Sequence, residues 1–152
     1  MASRFLVVLS MAFLCAACTI DKSVKPVTNE QFSLLCIRNN QDVLMDDFQS
    51  ELVSQIKARG IPVLVYTDTL PASCSHRLLY SASWSFTMSM YLSYLSIVVY
   101  RDGGDERVGE VIYDASGAKA MYRFDKLGPT ASKLNHLLDE LFPQGSTASA
   151  SN

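Results

Sequence analysis

Leu14-Cys15-Ala16-Ala17-Cys18 closes an apolar run near the N-terminus, and that junction limits what the rest of the chain can fold into. Ahead of it stand one positive charge, Arg4, and an uncharged stretch from Phe5 to Ala17 dominated by Phe, Leu, Val, Met and Ala. The stretch is too short to cross a hydrocarbon core, which takes about 20 apolar residues. It does have the charged start, apolar middle and small-residue end of a cleavable export signal. A buried core helix is the competing reading of the same residues. If residues 1–17 are removed on export, folding starts after them, in a compartment that oxidises thiols.

Ala16 and Ala17 directly before Cys18 resemble the bacterial lipobox, where signal peptidase cuts before a cysteine that already carries diacylglycerol. Cys15 occupies the place where Leu is usual, with Leu14 one position further out; Cys15 as the acceptor would have bulky Phe13 and Leu14 before it. The resemblance implies a covalent lipid on Cys18. Cysteine usage fits the same cut, because of four cysteines Cys15 leaves with the signal and Cys18 is consumed as a thioether. Cys36 and Cys74 remain as one pair. A disulfide between them would close a loop of about 40 residues and contribute about 3–4 kcal/mol in the chain-entropy model. Two reduced, buried cysteines are the alternative, since sequence does not show whether the Cβ atoms face each other. No cofactor or metal is expected: His76 and His136 are isolated, and no second Cys or His pair stands at ligand spacing.

Removing residues 1–17 takes away Arg4 alone among charged residues, so the formal charge moves from −2 to −3. No basic stripe or interleaved aromatic and basic pattern offers a nucleic-acid footprint, and the net sign argues against adhesion to anionic lipid. Membrane attachment must then come from acyl chains on Cys18, more than one of which holds a protein firmly. Thr19, rather than Asp, follows the acceptor cysteine. This points to the outer membrane, facing the periplasm, with the inner membrane left open. The stretch after it is polar, broken by Pro26 and without period, and reads as a flexible tether.

Beyond the tether the residues alternate between two periods. Phe32 to Ile37 is a short apolar strand that ends at a turn, Arg38-Asn39-Asn40. From Asp42 to Arg59, Leu44, Phe48, Leu52 and Ile56 recur in steps of four, which predicts an amphipathic helix stopped by Gly60 and Pro62. Pro62 to Thr67 is the next strand, giving a βαβ unit with parallel strands. Cys74 to Phe86 and Tyr91 to Arg101 alternate as strands, and Asp102-Gly103-Gly104-Asp105 turns the second back into Arg107 to Tyr113. Ala115 to Lys126 has no firm period; its Tyr122 and Phe124, with Leu127, are candidates to cover a sheet edge. Pro129 opens a last helix with Leu134, Leu137, Leu138 and Leu141 on one stripe.

The expected fold class is α+β, a two-layer sandwich in the order β-α-β-β-β-β-α, with a mixed sheet and both helices packed on one face. The expected organisation is a lipoprotein signal peptide in 1–17, a lipidated N-terminus and flexible tether in 18–31, a single α+β domain in 32–143, and a disordered tail in 144–152. Such a sandwich leaves one sheet face in question, and an exposed apolar patch of a few hundred Å² usually marks an interaction surface.

The order lipobox, Cys36-Ile37 with Asn39-Asn40, Asp47-Phe48, Arg59-Gly60-Ile61, Ala72-Ser73-Cys74, Leu79-Tyr80 with Trp84 downstream, and Leu137-Leu138-Asp139-Glu140-Leu141 resembles the Sbal-type family of small bacterial lipoproteins. The resemblance covers nearly all of the chain after Cys18, with Asn40 where the family often has Pro. It implies a lipoprotein fold with two cysteines in similar places, and no activity.

Catalysis is not expected. Ser73, Ser75 and His76 lie close in sequence, but His76 falls on a strand, where neighbours face opposite ways, and neither a Gly-x-Ser-x-Gly elbow nor an orienting acid accompanies it. Asp46-Asp47 and Asp139-Glu140 read as solvated helix faces, Gly103-Gly104 as a hairpin turn. Arg101, Arg107 and Arg123 could gather an anion near that hairpin, although plain exposure explains them as well. The expected role is a non-catalytic envelope lipoprotein that binds another envelope component through Tyr80, Trp84, Phe86, Tyr94 and Tyr100, because aromatics lead in binding hot spots. Ordinary core burial is the competing reading of those five. The second role is a binder of a small hydrophobic ligand or lipid in a cavity lined by Tyr94, Val98 and Leu137.

Overall fold

The computed structural model describes residues 21–101, 104–117 and 127–143. The signal segment, Cys18, Tyr122, Phe124 and the tail 144–152 lie outside them. Among the described residues there are six strands and two helices: β1 Asp21–Lys25, β2 Leu35–Arg38, α1 Phe48–Ala58, β3 Val63–Tyr66, β4 His76–Phe86, β5 Met90–Arg101, β6 Arg107–Asp114 and α2 Thr130–Leu141. The strands form one mixed sheet in the order β1-β6-β5-β4-β2-β3. The fold is α+β, as the two periods in the sequence require.

β2 and β3 pair in parallel, Leu35 opposite Val63, and α1 is their crossover. β2 also pairs in parallel with β4, which places it between two parallel neighbours, and Leu35, Cys36 and Ile37 are buried. Strands in that position read as continuous apolar runs rather than alternating ones. From β4 onward the sheet is antiparallel, and the alternation is clean. His76, Leu78, Tyr80 and Ala82 are buried on one face together with Leu95, Ile97, Val99 and Val111. Phe48, Leu52 and Ile56 of α1 and the Leu stripe of α2 share the same core. The helices lie side by side there: Arg59 donates to Asn135 O at 2.9 Å and to Asp139 Oδ1 at 2.6 Å, and Gln55 Nε2 donates to Ala131 O at 2.9 Å. Cys36 and Cys74 form a disulfide with Cα atoms 5.7 Å apart.

Two sequence expectations need correction. The tether assigned to 18–31 is built into the fold from Asp21 onward. β1 pairs antiparallel with β6, Asp21 opposite Asp114, Val27 and Glu30 are buried, and Val27 N–H donates to Leu141 O at 2.8 Å. Lys22 adds an ion pair to Glu140 of α2 at 2.7 Å. An edge strand ladders through backbone groups that every residue carries, and charge on such a strand is ordinary, so Asp-Lys-Ser-Val-Lys shows no strand signature. The helix expected from Asp42 begins only at Phe48. Asn40 Oδ1 accepts from Asp42 N–H at 3.0 Å, a side-chain turn that competes with helix, and Leu44 falls outside the core. At the other end Gly60 adopts φ +77°, the left-handed conformation that stops a helix and favours glycine.

Candidate functional site

Three features stand out on this frame. The first is a buried polar chain around the start of β4. His76 Nε2 lies 3.0 Å from Glu30 Oε2, and His76 Nδ1 lies 3.0 Å from Ser75 Oγ. Arg101, paired with His76 across the strands, donates to both Glu30 oxygens and to Glu106 Oε2 at 2.9 Å. The Arg101 hydrogen bond holds the Glu30 carboxyl below the usual carboxylate range; burial opposes it, and the His76 hydrogen bond and both positive partners reinforce it.

Ser75, His76 and Glu30 have the connectivity of a nucleophile, base and orienting acid. Glu30 went unrecognised in the sequence because it lies 46 positions from His76, in the supposed tether. The geometry gives the chain a structural task instead. Ser75 Oγ accepts from Leu34 N–H at 3.1 Å and reaches Leu34 O at 3.0 Å, so it is committed to the β2 backbone. His76 is 3% exposed and is roofed by Phe32, whose ring centroid is 4.4 Å away. The chain fastens the 27–34 segment across the ends of β4 and β5.

The second feature is a polar cleft of about 530 Å³ at the carboxyl ends of β2 and β3, lined by Arg38, Asn40, Asp42, Thr67, Asp68 and Tyr80 among others. Asn40 organises it, donating from Nδ2 to Tyr80 O at 2.8 Å. Burial pushes the Tyr80 phenol above its ordinary range, against a hydrogen bond from the Asn40 backbone. Carboxyl ends of parallel strands are where open α/β sheets bind ligands.

The third is the sheet face away from the helices. The register puts Arg77, Leu79, Ser81 and Ser83 of β4 there with Tyr94, Ser96, Val98 and Tyr100 of β5 and Ile112 of β6. Arg77 stacks over the Tyr100 ring at 4.7 Å. Neither helix packs on this face.

The five aromatics expected on one interaction face are therefore divided. Tyr80 is buried, 5.8 Å from Phe48 between ring centroids. Trp84 is half-buried, edge-on to Phe48 at 5.3 Å with Nε1 3.4 Å from Thr130 Oγ1. Both belong to the helix-covered side. Tyr94 and Tyr100, both half-buried, lie on the face that neither helix covers, and Phe86 stands exposed at the end of β4. Alternation groups residues within one strand, but only the pairing of β4 with β5 shows that Tyr94 and Tyr100 share a face with Ser83 and Arg77. The hydrophobic cavity expected between Tyr94, Val98 and Leu137 does not form, because Leu137 is in the core on the opposite side of the sheet. Of the three arginines expected near the β5–β6 hairpin, Arg101 is paired with Glu30 and Glu106 and Arg107 with Glu110, and Arg123 lies outside the described residues. No group of three or more His, Cys, Asp or Glu able to hold a metal occurs among the described residues, and no helix there is long and apolar enough to cross a membrane.

No family model matches the chain, and no curated protein matches it. Among solved structures it is similar to PelC dodecamers from Paraburkholderia phytofirmans in two crystal forms. One, a point variant, is 11% identical with a TM-score of 0.46 over 80% of this chain and 97% of that one. The other is 11% identical with a TM-score of 0.47 over 81% and 96%. At this identity and TM-score the likeness says nothing of this chain's role.

Proposed function

We propose that the chain is a lipid-anchored bacterial envelope protein, held at the outer membrane by acyl chains on Cys18 and facing the periplasm, which binds another envelope component without catalysing a reaction. The observation that carries the binding role is the one-sided sheet: both helices cover the face of Leu78 and Ile97, and Leu79, Tyr94, Val98 and Tyr100 are left half-buried on the other. Half-buried tyrosines with serines between them suit a partner surface, because each ring offers apolar area at low entropic cost together with a polar end. Ser75, which has a histidine and a carboxylate in line, is tied to the Leu34 backbone, which favours binding over hydrolysis. The disulfide fits an oxidising compartment.

Two measurements test the proposal. Mass spectrometry of the membrane-extracted chain should find Cys18 as the first residue with an acyl mass on it. In-cell photocrosslinking from positions 94 and 96 should capture one envelope component that position 57, exposed on α1, does not. An unacylated chain that keeps residues 1–17 overturns the anchor, and equal or no capture at all three positions overturns the binding face.

A further inference from the structure

We infer that the β4–β5 hairpin end is a second membrane contact, lying in the headgroup region of the same lipid surface that anchors the chain. This rests on the lipid-anchor proposal and adds to it the face that the domain turns toward the bilayer.

The end of the sheet beyond Ser83 is unusually apolar for a water-facing surface. Phe86 is 69% exposed, Met88 82%, Met90 55% and Leu44 88%. They form one region, since Leu44 and Met45 line a shallow dent of about 280 Å³ together with Trp84 and Met90. Large side chains clustered this way mark an interaction surface, and unbranched Met adapts to a fluid partner.

The place where the chain leaves the described fold identifies that partner. Asp21, Asp114, Tyr94 and Ser83 form one row across β1, β6, β5 and β4. β1 begins in this row and runs away from the hairpin, and three positions of chain separate Cys18 from Asp21. An extended chain spans at most about 3.3–3.6 Å per residue, which keeps a lipid on Cys18 within about 10 Å of the row. Phe86 lies three positions beyond the row, on the hairpin side. With strands about 4.8 Å apart, β1 and β4, three strands along the sheet, are separated sideways by only about 14 Å. A short leash at this edge brings the apolar end to the bilayer.

The depth follows from the backbone. The turn is closed by Thr87 N–H donating to Ser89 O at 3.3 Å, and open turn backbone is not tolerated among acyl chains. The hairpin therefore reaches the interface, where apolar side chains sit about 5–10 Å deep, and goes no further. Asp42 lines the same dent and Asp21 and Asp114 stand in the row behind it, so the matching surface is zwitterionic lipid.

The acylated full chain, extracted from membranes and reconstituted into phosphatidylcholine vesicles with brominated acyl chains, tests this. Trp84 is the sole tryptophan, so Trp84→Phe combined with Met88→Trp reports from the tip, and Trp84→Phe with Lys57→Trp from the far end of α1. Phe86→Trp in the same background replaces the tip reporter if the first variant does not fold. The tip signal should fall by roughly half, as the interfacial depth implies, and the position-57 signal should stay unchanged. Acyl mass on Cys18 with an unquenched tip overturns the hairpin contact and leaves the anchor standing. Equal quenching at both positions overturns the stated orientation. A tip shielded from iodide but not quenched by brominated lipid, in proportion to protein concentration, assigns the patch to a second copy and overturns the lipid contact. Absence of acyl mass removes the anchor and the hairpin contact with it.

Discussion

Replacing Glu30 should cost far more than replacing a tether residue, and part of that cost should disappear in acid. Glu30 is 9% exposed, with His76 at 3% on one side and Arg101 on the other. Hydrogen bonds to charged groups contribute about 1.5–3 kcal/mol each, and removing one member of a buried pair costs about 3–5 kcal/mol. The Arg101 side chain is 42% exposed and retains Glu106, so water and Glu106 absorb part of its loss, which lowers the figure; buried His76 keeps Ser75 Oγ at Nδ1 but loses Glu30 at Nε2. Glu30→Ala should therefore destabilise by about 3 kcal/mol and Glu30→Gln, which fills the same space, by about 2 kcal/mol. The Arg101 hydrogen bond places the folded-state pKa of Glu30 below its ordinary value of 4.5. The unfolded chain takes up the proton first as pH falls, so this stabilisation is complete above 4.5 and is lost as pH drops through the folded value. Urea unfolding of the chain with its disulfide intact, followed by Trp84 fluorescence over a pH series, measures both effects. The gap between the natural chain and Glu30→Gln should be widest near neutrality and close in acid. A gap that is constant across the series would mean that the ionised pair is not its source. A change below about 0.5 kcal/mol, the usual range for an exposed site, would return residues 21–31 to the status of a tether.

Gly109→Ala should destabilise by about 1–3 kcal/mol, the usual cost of overpacking, because a Cβ there would stand 2.3 Å from Val27 Cγ2 and 3.1 Å from Leu141 Cδ1. Val27→Ala in the same chain should recover part of the loss of denaturation midpoint, and additive losses would show that Val27 is not the clashing neighbour. Cys36→Ser with Cys74→Ser, or reduction of the natural chain, should cost about 3–4 kcal/mol for a bridge spanning 38 positions. Thermal melts with and without reductant check this, and unchanged melting would place the bridge outside the cooperative unit.

Period carried much of the fold. Steps of four in Phe48, Leu52 and Ile56 and the Leu stripe of α2 locate both helices, and alternation in His76–Ala82 and Leu95–Val99 locates the central strands with the correct residues inward. The same rule overreached at Leu44, where one more step of four continued the helix into a turn held by Asn40. Among the site residues, cysteine usage marked Cys36 and Cys74 as a candidate pair and left reduced thiols open; the fold decides it by bringing their Cα atoms to 5.7 Å. Glu30 was not legible, because its partners His76 and Arg101 come from distant strands.

The sequence by itself determined the α+β class and the faces that residues share within each strand and helix. These are local properties, set by backbone periods of about 3.6 and 2 residues. Tertiary structure alone decided that Asp21–Lys25 closes the sheet beside β6, that Tyr80 and Trp84 lie on the helix-covered side while Tyr94 and Tyr100 lie on the other, and that Phe86, Met88 and Met90 are exposed at the end of the sheet where β1 begins. Strand order and helix placement are settled by burial summed over the whole chain, and no short window of sequence contains that sum.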